Sequence, residues 1–166
     1  MRWRVSVAFG LLALLLTNPA AAQFDTPETR SGLGDRATAL WAALPDTSRV
    51  AVRPFRPRES GLSEDIATSL DGAILRAFDQ ARPLAATLLP RGSLQSVFEE
   101  AEAFGGRDPA SLLSDVSATA LALPRAIPTA SGLRLEISVL SVEGGGFGEA
   151  LATSSPLSIA FSAELA

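Results

Sequence analysis

The sequence predicts an α/β (α+β) domain: a single mixed β-sheet of about five strands in the order β-α-β-α-α-β-β-β, with helices packed mainly on one face. Three observations carry this expectation. Two short apolar runs, Ser48–Phe55 and Leu84–Leu89, flank a long stretch of helical periodicity, as in a parallel β-α-β unit. Residues 133–142 alternate, with Leu133, Leu135, Ile137 and Val139 on one side and Arg134, Glu136 and Ser138 on the other, as a half-buried strand does. After Ala120 the chain consists of apolar or alternating runs separated by turn residues, which suits an antiparallel meander.

The elements follow in order. Residues 1–22 carry Arg2 and Arg4, an apolar stretch from Val5 to Leu16, then Asn18-Pro19 and Ala20-Ala21-Ala22. That succession of positive, apolar and small-residue regions predicts a cleavable signal peptide with the mature chain starting at Gln23. The apolar stretch is too short to span a bilayer comfortably, and nothing downstream reaches transmembrane length. Residues 23–34, polar and bearing Gly and Pro, predict a flexible leader, and 35–166 a single domain. Ala37, Leu40, Trp41 and Leu44 predict a helix over Asp35–Leu44, stopped by Pro45. The long helix begins after Ser63, an N-cap followed by Glu64 and Asp65 at the positive end of the helix dipole. Its apolar stripe is Leu62, Ile66, Leu70, Ile74 and Phe78, and Pro83 closes it. Leu94, Val97, Phe98, Ala101 and Phe104 predict another helix, ended by Gly105-Gly106. Asp108-Pro109 opens a short one with Leu112, Leu113 and Val116 inward. Residues 120–126 and 133–142 are joined by a turn at 129–132, and Leu157, Ile159 and Phe161 mark a last strand.

Composition excludes much chemistry. The chain has no His and no Cys, and all fourteen of its basic residues are Arg. Without His the common catalytic triads and the common general base are missing. Without His and Cys a zinc site would need carboxylates alone. Without Lys there is no Schiff base and no P-loop lysine. Two of the fourteen basic residues and none of the eighteen acidic ones precede Gln23, so the remainder carries a net charge of −6. An acidic chain does not suit nucleic acid or anionic lipid as a general partner. Disulfides play no part, and no cofactor is implied.

The words RVAVRPF, GLSEDIATSLDGAILRAF, LPRGSLQSVFEEAEAF and LLSDVSATALALPRAIPTASGLRLEISVLSVEGG occur in that order. Together they resemble bacterial periplasmic domains of the TolB amino-terminal and CsgG-like (curli-assembly, FlgO-type) group. The shared features are a strand of vAVlPF type, a helix introduced by Gly61-Leu62-Ser63, and a helix of R-x-x-L-x-x-V-x-x-E spacing from Arg91 to Glu100. The resemblance spans about Arg49 to Glu149. Pro124-Arg125 stand where the group usually has Thr-Gly or a similar pair, and the lipid-bearing cysteine of many relatives is missing. No segment is long enough to build a channel wall, so the pore role of the curli branch does not carry over. What the resemblance implies is a small periplasmic α/β domain used for binding and assembly, without catalysis.

The leading candidate site is the loop after the first strand. Arg53, Arg56 and Arg58, with Glu59, lie between a strand's carboxyl end and a helix N-terminus, where α/β sheets bind ligands and anions. Three guanidinium forks can take carboxylate or phosphate, or can pair with Glu59, Glu64 and Asp65 as a solvated turn. Gly144–Gly148 reads as a hairpin loop and not a phosphate cradle, because no helix or Lys follows it. Glu99, Glu100 and Glu102 read as the solvated back of a helix. The serines of SGLS and TSSPLS have no residue to activate them. The function expected is a periplasmic, non-enzymatic module that recognises another envelope protein through this loop and one sheet edge. The alternatives are a sensor or carrier of a small anionic ligand at the same loop and a carboxylate-dependent glycan hydrolase using Glu59, Asp65 or the Glu99 group.

Overall fold

A computed structural model describes residues 24–55, 61–90, 92, 94, 109–144 and 146–160. The first described helix, α1, spans Pro27–Ala42. It starts at Pro27 and not at Asp35, so residues 27–34 are helix where a flexible leader was expected. The cause lies in the capping. Thr26 is extended and accepts a hydrogen bond from the Thr29 amide at 3.2 Å, Pro27 occupies a first-turn position that needs no amide partner, and Glu28 sits at the positive helix end. Leu33, Ala37, Leu40 and Trp41 then recur on one buried face. Gly32, which reads as a breaker, is a contact residue: a Cβ there would stand 2.9 Å from Leu157 Cδ1.

Strand β1, Arg49–Val52, is shorter than the expected Ser48–Phe55. Helix α2, Glu64–Gln80, begins after Ser63, whose hydroxyl accepts from the Ile66 amide at 3.4 Å. Ile66, Leu70, Ile74 and Phe78 are buried along it. Strand β2 has only Thr87–Leu88, and Leu84, expected within it, is fully exposed. The helix expected over Leu94–Phe104 lies outside the described residues except for Gly92 and Leu94, which are helical.

Helix α3, Pro109–Asp115, ends in a Schellman turn. The Ala118 amide donates to the Leu113 carbonyl at 3.0 Å and the Ser117 amide to the Ser114 carbonyl at 2.8 Å, with Ser117 at φ 58° where glycine is usual. Arg49 Nε donates to the Ser117 carbonyl at 2.9 Å, tying that turn to the start of β1.

Strands β3, Ala120–Thr129, and β4, Gly132–Glu143, form a long antiparallel hairpin in register from Ala120↔Ser141 to Thr129↔Gly132. Strands β5, Gly146–Thr153, and β6, Leu157–Ala160, both pair antiparallel with the other edge of β4. The last strand is near its expected position; β5 is an addition. The sheet order is β2-β1-β3-β4-β5 with β6 also on β4, so six strands form the sheet. β2, β1 and β3 are parallel, and the rest are antiparallel.

Side chains alternate across this sheet and feed two apolar layers. On one face Val50, Val52, Leu135, Ile137 and Val139 pack with α1 and α2. There the Trp41 indole N–H donates to the Phe78 carbonyl at 2.9 Å, and the two rings meet edge to face at 6.1 Å. On the other face Ala51, Leu121 and Val142 pack with Leu89, Leu94, Leu112 and Leu113. The two long helices thus share one face, and the short α3 covers part of the other.

Candidate functional site

The arginine loop leaves the sheet at the carboxyl end of β1, as its sequence position requires. Arg53 follows Val52 directly, and its amide donates to the Ala122 carbonyl of β3 at 2.9 Å. Two residues on, the Phe55 amide donates to Asp71 Oδ1 at 3.4 Å, and the Phe55 ring packs on the core. The loop rejoins the fold at Gly61, whose φ of +68° is a backbone state that favours glycine, and at buried Leu62 and the Ser63 cap. Arg56, Arg58 and Glu59 lie outside the described residues, so of the four expected site residues the structure places Arg53 alone. The loop stems are held on both sides.

Asp71 is the residue that sequence reasoning missed. It is only 6% exposed, within the buried face of α2, and it accepts from the loop's backbone. The signal was available: Asp71 falls four residues after Ala67 and three before Ile74, inside the apolar stripe. A carboxylate on that stripe needs polar partners, and the stem of the β1 loop supplies one.

The sheet edges are the second expected contact. β3 runs past the end of β1, and no described strand pairs with that side of it. Ala122 turns its carbonyl toward β1, so every second residue after it, 124, 126 and 128, turns its polar groups the same way. Two of those are Pro124 and Pro128, which have no N–H. The open edge therefore offers acceptors but a single donor, at Ala126, and is poorly suited to take another strand. The opposite edge is irregular: β5 shifts register against β4 between Val139 and Leu140 and again between Leu140 and Val142. Phe147 and Leu151 stand on β5 with roughly two-fifths of their surface exposed.

The other sequence candidates resolve as follows. Gly144, at φ +57°, turns the β4–β5 hairpin, and the strand resumes at Gly146. Ser63 is a helix cap. Ser154 bridges the break between β5 and β6, its hydroxyl accepting from the Ile137 amide at 3.0 Å and its amide donating to the Ile137 carbonyl at 2.8 Å. Arg36 of α1 spans the same break, donating to the Ser155 carbonyl at 2.8 Å and the Pro156 carbonyl at 2.7 Å. Glu99, Glu100 and Glu102 lie outside the described residues. No described helix is long and apolar enough to cross a membrane.

No protein-family model matches the chain, and no curated protein matches it. Two solved structures are similar to it. The LpoB C-terminal domain from Salmonella enterica superposes with a TM-score of 0.50 at 14% identity, covering 78% of this chain and 98% of that one. The LpoB C-terminal domain from Escherichia coli gives 0.49 at 13% identity, covering 76% of this chain and 98% of that one. At such identity the likeness is one of fold: the mixed sheet with its helices is an arrangement shared with the Salmonella domain.

Proposed function

We infer that this chain is an exported, non-enzymatic module of the cell envelope that recognises another envelope protein, with the loop after β1 as its main contact. The observation that carries the reading is the construction of that loop. It leaves the carboxyl end of the parallel strands, carries three arginines over six positions, and has stems fixed by Ala122, Asp71 and the Ser63 cap. Fixed stems reduce the ordering cost of binding, and guanidinium forks steer and orient an acidic partner. The export signal read from residues 1–22, the lack of His and Lys to activate a serine, and a fold shared with the Salmonella LpoB C-terminal domain all support it. The TolB-like pattern of the sequence supports the same reading. The proline-guarded edge of β3 favours the loop over strand addition as the route of recognition.

The test compares the native chain with a variant in which Arg53, Arg56 and Arg58 are Ser. Both are expressed from the complete reading frame, recovered from the envelope and cross-linked in place. One partner held by the native chain and lost by the variant is the expected result. Equal retention by both would remove the loop from the interface, and retention of nothing by either would overturn the reading.

A further inference from the structure

A second place on the molecule is built like a binding site. It is a cleft of about 250 Å³ between the start of α1 and the C-terminal half of α2. Its floor is apolar, made by buried Phe24, Leu33, Ala73 and Ala77. Ala73 and Ala77 stand one turn apart on α2, and their small side chains leave the hollow. The rim carries Asp25, Arg30, Arg76 and Gln80. Arg30 is committed to Asp25: its Nη2 donates to the Asp25 carbonyl at 2.7 Å and lies 3.3 Å from the Asp25 carboxylate. Arg76 has no hydrogen-bond or ion-pair partner among the described residues. Its guanidinium lies along α2 beside Gly72, one turn earlier, with Nη1 at ordinary contact distance, 3.5 Å, from where a Cβ of that residue would stand.

We propose that this cleft binds the carboxyl-terminal residue of a peptide, with an apolar side chain on the alanine floor and the α-carboxylate on Arg76. Such a residue presents an apolar body and a carboxylate from one Cα, which matches the step from floor to rim. A guanidinium takes a carboxylate through two parallel N–H donors. The volume, below the roughly 300–1,000 Å³ of pockets that enclose drug-sized ligands, is enough to seat one residue. The site is independent of the β1 loop. Arg76 lies twelve residues beyond Glu64, about 18 Å along α2 from the helix end that the loop enters.

The experiment is an amide-shift titration of the ¹⁵N-labelled chain, expressed from its complete reading frame, with acetyl-Ala-Ala-Leu carrying a free carboxylate. Saturable shifts are expected at Leu33, Ala73, Arg76 and Ala77. The amidated peptide, and the native peptide against Arg76→Gln, should bind at least about tenfold more weakly, because each removes one half of the charge-assisted pair. Arg76 is exposed, so the variant should keep the native spectrum elsewhere. The proposal is overturned if acid and amide bind alike, if Arg76→Gln binds like the native chain, if free leucine binds as tightly as the peptide, or if no saturable shift appears by about 10 mM peptide. The variant with Ser at 53, 56 and 58 should bind the peptide unchanged. Failure here therefore leaves the loop reading to its own cross-linking test.

Discussion

Asp71 illustrates how one buried polar group fixes a surface loop. Its carboxylate receives the Phe55 amide while surrounded by the apolar face of α2. Removing the acceptor strands a partly buried donor, which costs about 1–3 kcal/mol. Asp71→Ala should therefore lower unfolding stability by that amount. Asp71→Asn keeps an oxygen for the Phe55 amide and should lose less. Urea denaturation followed by Trp41 fluorescence measures both. Equal loss in the two variants would show that the site needs the negative charge more than the acceptor. Sequence reading passed over this residue although its signal was there, an acid inside an apolar helical stripe. Arg36 left no such signal. Its carbonyl partners at Ser155 and Pro156 lie 119 and 120 positions away, and no local pattern connects them.

At the level of elements, the sequence was most informative where periodicity and capping agree. Ser63 with Glu64 and Asp65 located the start of α2, and the alternation of residues 133–142 located β4. The failures have physical causes. In α1 the glycines at 32 and 34 suggested a loop, yet the Thr26 cap and the buried face of Leu33, Ala37, Leu40 and Trp41 hold both in helix. In β5 the two register shifts break the alternation that marks a strand, and Gly146 and Gly148 imitate a turn. β5 and β6 together line one edge of β4, with residues 154–156 between them as the break. Ser154 satisfies Ile137 across the break, and Arg36 ties its carbonyls to α1, where Arg36 Nη1 also donates to the Gly32 carbonyl at 2.9 Å. Arg36→Lys keeps the charge but replaces the planar fork with a single ammonium, which cannot reach both strand-side carbonyls and Gly32 in the same geometry. Hydrogen exchange should then speed up several-fold at the amides of residues 154 and 157–160, while β3 and the centre of β4 stay protected. Unchanged exchange at the break would make the Arg36 contacts incidental.

Across the whole molecule, one sheet separates two apolar layers. Among the described residues, the layer holding Trp41 and Phe78 contains α1 and α2, and the layer holding Leu121 contains α3 and Leu94. Both draw on the same strands, since Val50 and Val52 face one layer and Ala51, between them, faces the other. The central hairpin is shared in the same way, with Ala120 and Ala122 on one side and Leu121 on the other. A backbone held in common should make the layers unfold together, in the two-state manner of single domains of this size. Leu121→Ala tests this, because the side chain is fully buried and lies in the layer that contains no tryptophan. A large-to-small change at such a site costs about 2–5 kcal/mol. If the domain is one cooperative unit, Trp41 fluorescence in the opposite layer should report the whole of that loss as a lower urea midpoint with an unchanged slope. Circular dichroism should give the same midpoint. A Trp41 transition left at the native midpoint, with the helical signal lost earlier, would mean that the α3 layer melts by itself over an intact sheet. The β1 loop would then stand on a scaffold whose two faces fail separately.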